Sequence, residues 1–143
     1  MPRKSEQVLD ALFGILATID GPKIQRGGTL PERVPQGGII ILRDGDPGEP
    51  EILLSPPEYI YEHLAEAEVV VDAATPQVRD SLLDGLLAAI GAAIAADRSL
   101  EGLCDFVLPA APEPAELAIE GAPGFKAAIV PIALHYGTPD PLS

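Results

Sequence analysis

Cysteine and aromatic side chains are both scarce in this sequence of 143 residues. Cys104 is the only cysteine, tryptophan is absent, and aromatic residues make up 4% of the chain. A single cysteine excludes a disulfide within the chain and the usual thiolate clusters that bind metals. So few rings also disfavour a stacking platform for single-stranded nucleic acid. We expect an aliphatic core and no metal or cofactor.

Basic residues are also scarce, at nine lysines and arginines against 22 aspartates and glutamates, which gives a net charge of −13. Such a chain cannot easily build the positive surface that binds phosphate groups. Specific DNA binding and binding to anionic membranes are both disfavoured. A strongly negative protein can still lie beside DNA if its task is to let the DNA pass without sticking.

No apolar run is long enough to cross a bilayer. The most apolar stretch, residues 82–96, is interrupted by Asp84 and Gly91, and a spanning helix needs about 20 predominantly apolar residues. The opening residues MPRKSEQ lack the apolar region of a signal peptide. We therefore expect no membrane association, and a protein made in the cytoplasm that stays there or is built into a particle.

Two segments carry apolar residues at helical spacing within what we expect to be one domain, residues 1–143. The first helix is predicted over residues 6–18, with Ser5 as its N-cap. The second is predicted from Pro76 to about residue 96, with Thr75 as the cap and proline at the first helical position. A third, short helix is expected after Ser99.

The remaining patterns favour strands. Residues 38–43 and 51–54 are apolar and flank the turn-rich residues 44–48, which predicts a hairpin. Residues 59–71 alternate between an apolar and a polar parity, which is typical of a long strand with one buried face. A helix is the alternative there, because glutamate and alanine favour one.

Proline marks the C-terminal third of the chain. Prolines between residues 109 and 114 predict a rigid connector, followed by a short strand over 116–120 and a long strand over 125–136. Pro131 inside the last strand predicts an edge strand or a bulge, and residues 137–143 should form an irregular tail. The sum is an α+β fold, a mainly antiparallel sheet with two principal helices covering one face.

Residues 23–36 predict a long loop with a local excess of positive charge. Lys23, Arg26 and Arg33 are a third of all the basic residues. Loops of this length in compact domains tend to be functional or disordered. The segment is therefore either a docking arm or a solvated loop.

The polar side chains of the predicted strand 59–71 give it an acidic face. Glu62, Glu66 and Glu68 share one parity, and like charges this close need water or a basic partner. In an oligomeric ring they would line a channel or meet basic residues of a neighbour.

Catalytic motifs are missing from the sequence. Phosphate-binding loops and nucleophile elbows are not found, and Cys104, His63 and His135 have the patterns of ordinary core and strand residues. We expect a protein that is not an enzyme. Cys104 within about 3–4 Å of a histidine would support a small acyl-transfer or hydrolytic enzyme instead. A closed apolar pocket would support a small-ligand binding domain.

Two segments resemble the tail terminator proteins of long-tailed phages and gene-transfer particles. The first is RDSLL at residues 79–83, continuing to ADRSLEGLCDFV at 96–107, and it resembles their main helix, break and short helix. The second is KAAIVPIALHY at residues 126–136 with the ending TPDPL, and it resembles their last strand and tail.

The resemblance implies a virion subunit that forms a hexameric ring on the tail tube, stops its polymerisation and offers a surface for neck or head joining. The implied partners are further copies of the chain, tail-tube protein and a neck or head-connector protein, with DNA passing through unbound. Another neck or tail-completion protein is the alternative. The candidate assembly contacts are Lys23, Arg26, Arg33, Glu62, Glu66, Glu68 and Asp140.

Overall fold

The computed structural model describes residues 2–115 and 124–143. The described residues form two helices and seven strands, and this confirms the predicted α+β class with two principal helices. Their bounds are α1 Lys4–Leu16, β1 Lys23–Arg26, β2 Ile39–Asp46, β3 Glu51–Leu53, β4 Glu58–Asp72, α2 Pro76–Ala96, β5 Phe106–Pro109, β6 Glu113–Ala115 and β7 Phe125–Thr138.

All seven strands belong to one sheet with the order β1-β2-β4-β7-β5. β3 adds to β4 and β6 adds to β7. Among the strands of the described residues, only the pairing of β1 with β2 is parallel, and the other pairings are antiparallel. The mainly antiparallel sheet is therefore confirmed.

Strands β4 and β7 form the centre of the sheet. They pair without interruption from Tyr59 opposite Thr138 to Asp72 opposite Phe125. One parity of β4 is buried, including His63, and the other carries exposed glutamates. The predicted strand and its two different faces are confirmed.

Both helices cover the same face of the sheet, and their apolar stripes complete one core with it. α1 contributes Leu12 and Leu16, and α2 contributes Ile90 and Ile94, all of them buried. Aliphatic side chains supply most of this core, as the shortage of aromatic residues predicts.

The predicted helix caps have different outcomes. Thr75 caps α2, because its hydroxyl accepts a hydrogen bond from the amide of Val78 at 3.3 Å. Ser5 is not a cap, since α1 begins one residue earlier at Lys4. The Lys4 amide donates instead to the backbone oxygen of Ser143 at 2.9 Å, so the C-terminal segment satisfies the start of α1.

The predicted hairpin of residues 38–43 and 51–54 is wrong. β3 pairs with the beginning of β4 rather than with β2. β2 continues through the expected turn to Asp46, with an irregularity after Arg43, and pairs with the later part of β4. β2 and β3 thus follow each other along one edge of β4.

The short helix expected after Ser99 is also wrong. Leu100, Glu101 and Gly102 all have positive φ, which no helix continues through. Asp97 supports this turn by accepting a hydrogen bond from the Glu101 amide at 3.0 Å. The apolar residues that follow form strand β5 instead.

Pro131 lies in an interior strand, so its predicted place at an edge or bulge is wrong. β7 pairs with β4 on one side and with β5 and β6 on the other. The Ala110 amide donates to the Pro131 carbonyl at 2.8 Å. In an antiparallel strand the nitrogen and the carbonyl of one residue point toward the same neighbouring strand. The nitrogen of Pro131, which carries no hydrogen, therefore points to the side of β5 and β6, at the gap between them. No hydrogen bond between β7 and β4 is lost.

Other boundaries shift by a few residues. The first four residues of the predicted loop 23–36 form β1, and Gly137 and Thr138 of the predicted tail belong to β7. The strand predicted over 116–120 lies outside the described residues. Within the described ranges, no helix is long and apolar enough to cross a membrane.

Candidate assembly surface

The side of the sheet that faces away from the helices, here called the open face, is only partly covered. Residues 27–36, the covering segment, lie over one end of it. Leu30 and Val34 pack there on a small second core. The buried members of that core are Ile39, Ile41, Val70 and Ala127.

The other end of the open face carries an exposed apolar patch made of Leu64, Phe106 and Leu108. Leu64 and Leu108 both pair with Ala133 between them, and Phe106 pairs with His135 in the next row. The three patch residues keep 51%, 40% and 47% of their surface exposed. Apolar patches rimmed by polar groups are typical of interaction surfaces.

Two carboxylates flank Leu64 on the same face of β4. Glu62 and Glu66 are both exposed. The ring of His135 lies beside Glu62, with its Nε2 3.9 Å from the Glu62 Oε1. Glu66 makes no side-chain hydrogen bond to any described residue. This part of the open face is therefore apolar with an acidic rim.

Glu68 differs from the other two glutamates because it is engaged within the chain. Its carboxylate lies 3.2 Å from the guanidinium of Arg43, and both side chains are about one-third exposed. Arg43 also donates to the carbonyl of Gly28. The pair thus holds the covering segment against the sheet, which favours a structural role for Glu68.

Arg26 is likewise engaged within the chain. Its guanidinium binds both carboxylate oxygens of Glu6 at 2.6 and 2.9 Å and contacts Asp44 at 3.1 Å. These hydrogen bonds hold the pKa of Glu6 below its ordinary value of 4.5 and raise the pKa of Arg26. Arg26 therefore joins α1 to β1 and β2 and is not available as a docking residue.

Lys23 and Arg33 remain exposed. Ile24 packs into the core beneath the helices, and side chains alternate along a strand, so Lys23 lies on the open side of β1. Arg33 belongs to the covering segment. Lys23 therefore lies at the β1 end of the open face, with Arg33 on the segment that covers it, and the carboxylates of Glu62 and Glu66 lie on β4 toward the other end.

Asp140 organises the C-terminal turn. Its carboxylate accepts a hydrogen bond from the Leu142 amide at 2.8 Å, and its carbonyl accepts one from the Thr138 hydroxyl at 3.0 Å. The residue is exposed but lies on this turn, away from the strand positions of the other carboxylates.

The histidines and the cysteine are not joined into a nucleophile–base pair. The Nε2 of His63 donates to the carbonyl of Asp44 at 2.6 Å, which leaves Nδ1 to accept from the hydroxyl of Tyr136 at 2.8 Å. His135 stacks on Phe106, with ring centroids 4.0 Å apart. In residues 2–115 and 124–143 neither histidine hydrogen-bonds to Cys104, and burial raises the pKa of that thiol to about 12.

A groove lies on the helix side, between the end of α1 and the first half of α2. Its volume is about 600 Å³, and Ile19, Val78 and Leu82 are among its lining residues. It opens to solvent and differs from the closed apolar pocket that would point to a small ligand. The described part of the chain also holds no cluster of three or more His, Cys, Asp or Glu side chains placed to bind a metal.

The apolar patch was not predicted from the sequence. Leu64 belongs to the polar parity of the predicted strand, Phe106 to the predicted short helix, and Leu108 to no predicted element. The signal was present, because Phe106 and Leu108 alternate with the buried Val107, as in a strand with one exposed face. In comparisons with known proteins, the sequence matches no family model and no curated protein.

Proposed function

We propose that the chain is a structural subunit of a bacteriophage-type virion, a tail terminator. In this role, copies of the chain form a ring on the end of the tail tube, stop its polymerisation and offer a surface for neck or head joining. The observation that carries the proposal is the half-covered sheet. One face is closed by two helices, whereas the open face leaves Leu64, Phe106 and Leu108 exposed among carboxylates.

Such a face suits a subunit that completes its fold by assembly. Removing apolar surface from water is favourable by about 25 cal/mol for each Å², and the part of this gain that exceeds the cost of association stabilises an interface. The flanking carboxylates of Glu62 and Glu66 must be paired with basic groups or stay hydrated when this face is covered, because burying an unpaired charge is costly. A neighbour in an assembly can meet both requirements.

The charge of the chain agrees with a place around a DNA channel. Each copy adds a net charge of −13 to a ring. A negative lumen repels the phosphate backbone, so DNA can pass without being held. The two segments that resemble terminator proteins, residues 79–107 and 126–142, contribute α2, β5 and β7 to the fold.

The test is tail-tube assembly in the presence of the purified chain. Tail-tube protein is allowed to polymerise with and without substoichiometric amounts of the chain, and tube lengths are measured by electron microscopy. The expected result is shorter tubes with a ring at one end. Tubes of unchanged length at every ratio would contradict the proposal.

A further inference from the structure

We propose that the apolar patch with its rim of Glu62 and Glu66 binds a second copy of this chain, through the β1 end of that copy's open face, where Lys23 and Arg33 are exposed. This inference rests on the proposed function in one respect, since it assigns the contact between neighbouring subunits of the ring. It adds which two surfaces meet and which charges pair.

The distribution of cations within the chain supports this choice of occupant. Five of the nine basic side chains make hydrogen bonds inside the described structure, namely Arg26, Arg43, Arg79, Arg98 and Lys126. The other four, Arg3, Lys4, Lys23 and Arg33, make none to the described residues. Arg3 and Lys4 lie at the start of α1, which leaves Lys23 on β1 and Arg33 on the covering segment as the two that belong to the open face. Two exposed cations therefore lie at one end of the open face while two exposed carboxylates lie toward the other end.

The spacing of the carboxylates allows both to be used. Glu62 and Glu66 are four residues apart on a strand, so they lie roughly 13 Å from each other with Leu64 between them. A neighbour can place one cation against each and apolar surface against Leu64. The partly buried Leu30 and Pro31 of the covering segment, together with the aliphatic stem of Arg33, supply that apolar surface.

The contact joins two different surfaces, and we assign it as a head-to-tail contact. Repetition of such a contact gives a ring where the rotation between neighbours closes, and an open filament where it does not. A symmetric dimer whose twofold axis passed through the apolar patch would instead bring the two acidic rims together, and their carboxylates would repel each other. A twofold dimer that paired each patch with the other copy's Lys23 and Arg33 would stop at two copies, so an assembly larger than a dimer is the result expected for the head-to-tail contact. The same carboxylates disfavour nucleic acid as the occupant.

Charge reversal tests the pairing. The first variant combines Lys23→Glu with Arg33→Glu, so that both contact surfaces are acidic. The second combines Glu62→Lys with Glu66→Lys, so that both are basic. We expect each to weaken self-association about tenfold, measured by sedimentation equilibrium at low salt, because two exposed attractive charge pairs become repulsive.

Mixing the two variants supplies the decisive result. Copies of opposite charge can alternate around a ring with an even number of subunits, so the equimolar mixture should recover the mass of the wild-type assembly. A chain that carries all four substitutions should recover it too. Failure of both the mixture and the fourfold variant to assemble would overturn the proposed pairing.

Matched controls distinguish an effect of charge at the proposed contact surface from an effect of the total charge of the chain. Asp10→Lys with Asp84→Lys changes the charge as much as the second variant does, but at exposed positions on the helices, and it should leave assembly unchanged. An equal loss in this control would overturn the proposal. Leu64→Ser should weaken association, whereas Leu142→Ser, at the exposed C-terminal turn, should not.

The outcomes distinguish this inference from the proposed function. Rings that form but ignore both charge reversals would overturn the interface and leave the terminator proposal standing. Rings that respond to the charge reversals as expected but do not cap tail tubes would support the interface and overturn the terminator proposal. A wild-type chain that stays monomeric at low salt up to about 1 mM would overturn the assigned contact, as would binding of this face to a short DNA duplex.

Discussion

The hydroxyl oxygen of Tyr136 lies 2.8 Å from Nδ1 of His63, inside the core between the sheet and the helices. Both residues are nearly inaccessible to solvent. The other nitrogen of His63 donates to the carbonyl of Asp44. The three groups therefore link the central strands β4 and β7 to the irregular end of β2, and these two hydrogen bonds give each ring nitrogen of the buried His63 a partner.

Replacement of Tyr136 by phenylalanine should destabilise the chain by about 1–3 kcal/mol, because Nδ1 of His63 would be left buried without a donor. Urea unfolding followed by circular dichroism measures the change. Tyr61→Phe is the matched control, since the Tyr61 ring lies 5.7 Å from that of Tyr136 but its hydroxyl makes no hydrogen bond to a described residue. Equal losses in the two variants would count against the link through His63.

Gly45→Ala should destabilise the fold by about 3 kcal/mol or more. Gly45 has φ +70°, and a Cβ there would overlap the carbonyl oxygen of Leu64 on the paired strand. Gly48→Ala is a close control, because Gly48 has φ +69° but open space around it, and it should cost only about 1 kcal/mol. Similar unfolding free energies for the two variants would refute steric exclusion at the irregular end of β2.

The contact between Glu6 and Arg26 should make stability depend on pH. Arg26 lowers the folded-state pKa of Glu6 below 4.5, so the contribution is complete above about pH 5 and is lost as the pH falls through the folded-state pKa. Glu6→Gln should therefore be less stable than the wild type at pH 7 and should approach it near pH 3. Thermal unfolding across this range measures the difference.

Asp10→Asn is the control for that experiment. Asp10 is an exposed acid of the same helix and makes no hydrogen bond to a described side chain. Its substitution should leave the stability difference small at both pH values. A Glu6→Gln variant whose stability runs parallel to that of the wild type from pH 7 to 3 would show that the carboxylate contributes nothing through Arg26.

Cys104 should react slowly with alkylating reagents in the folded chain. Burial raises the pKa of its thiol to about 12, so little thiolate is present at pH 8. Labelling by iodoacetamide, followed by mass spectrometry, should be slow in buffer and fast in denaturing urea. Rapid labelling of the native protein would mean that the turn between α2 and β5 opens readily.

Local patterns were sufficient for the parts of the fold that repeat over many residues. The helical stripes of α1 and α2, the Thr75 cap and the two parities of β4 all follow from spacing along the chain. Each has many residues that indicate the same structure, so a single exception changes little.

Pairing between distant segments was not predictable in the same way. The local sequence pattern does not indicate that β3 pairs with β4, because β2 and β3 both have the pattern of strands on either side of a turn. The apolar patch depends on residues from β4 and β5, more than 40 positions apart, that only the sheet brings together. The loss of Arg26 as a docking residue likewise depends on Glu6 and Asp44, which reach it from other elements.

The uninterrupted pairing of β4 with β7 has a mechanical consequence. Tension applied lengthwise, in opposite directions along these two strands, would load their hydrogen bonds from Tyr59 to Asp72 at the same time. Force that peels the two strands apart from one end would break these hydrogen bonds one by one. A particle that pulls on its subunits along this direction would therefore meet the greatest resistance that the sheet can offer, while the short strands β1 and β3 at its margin would yield first.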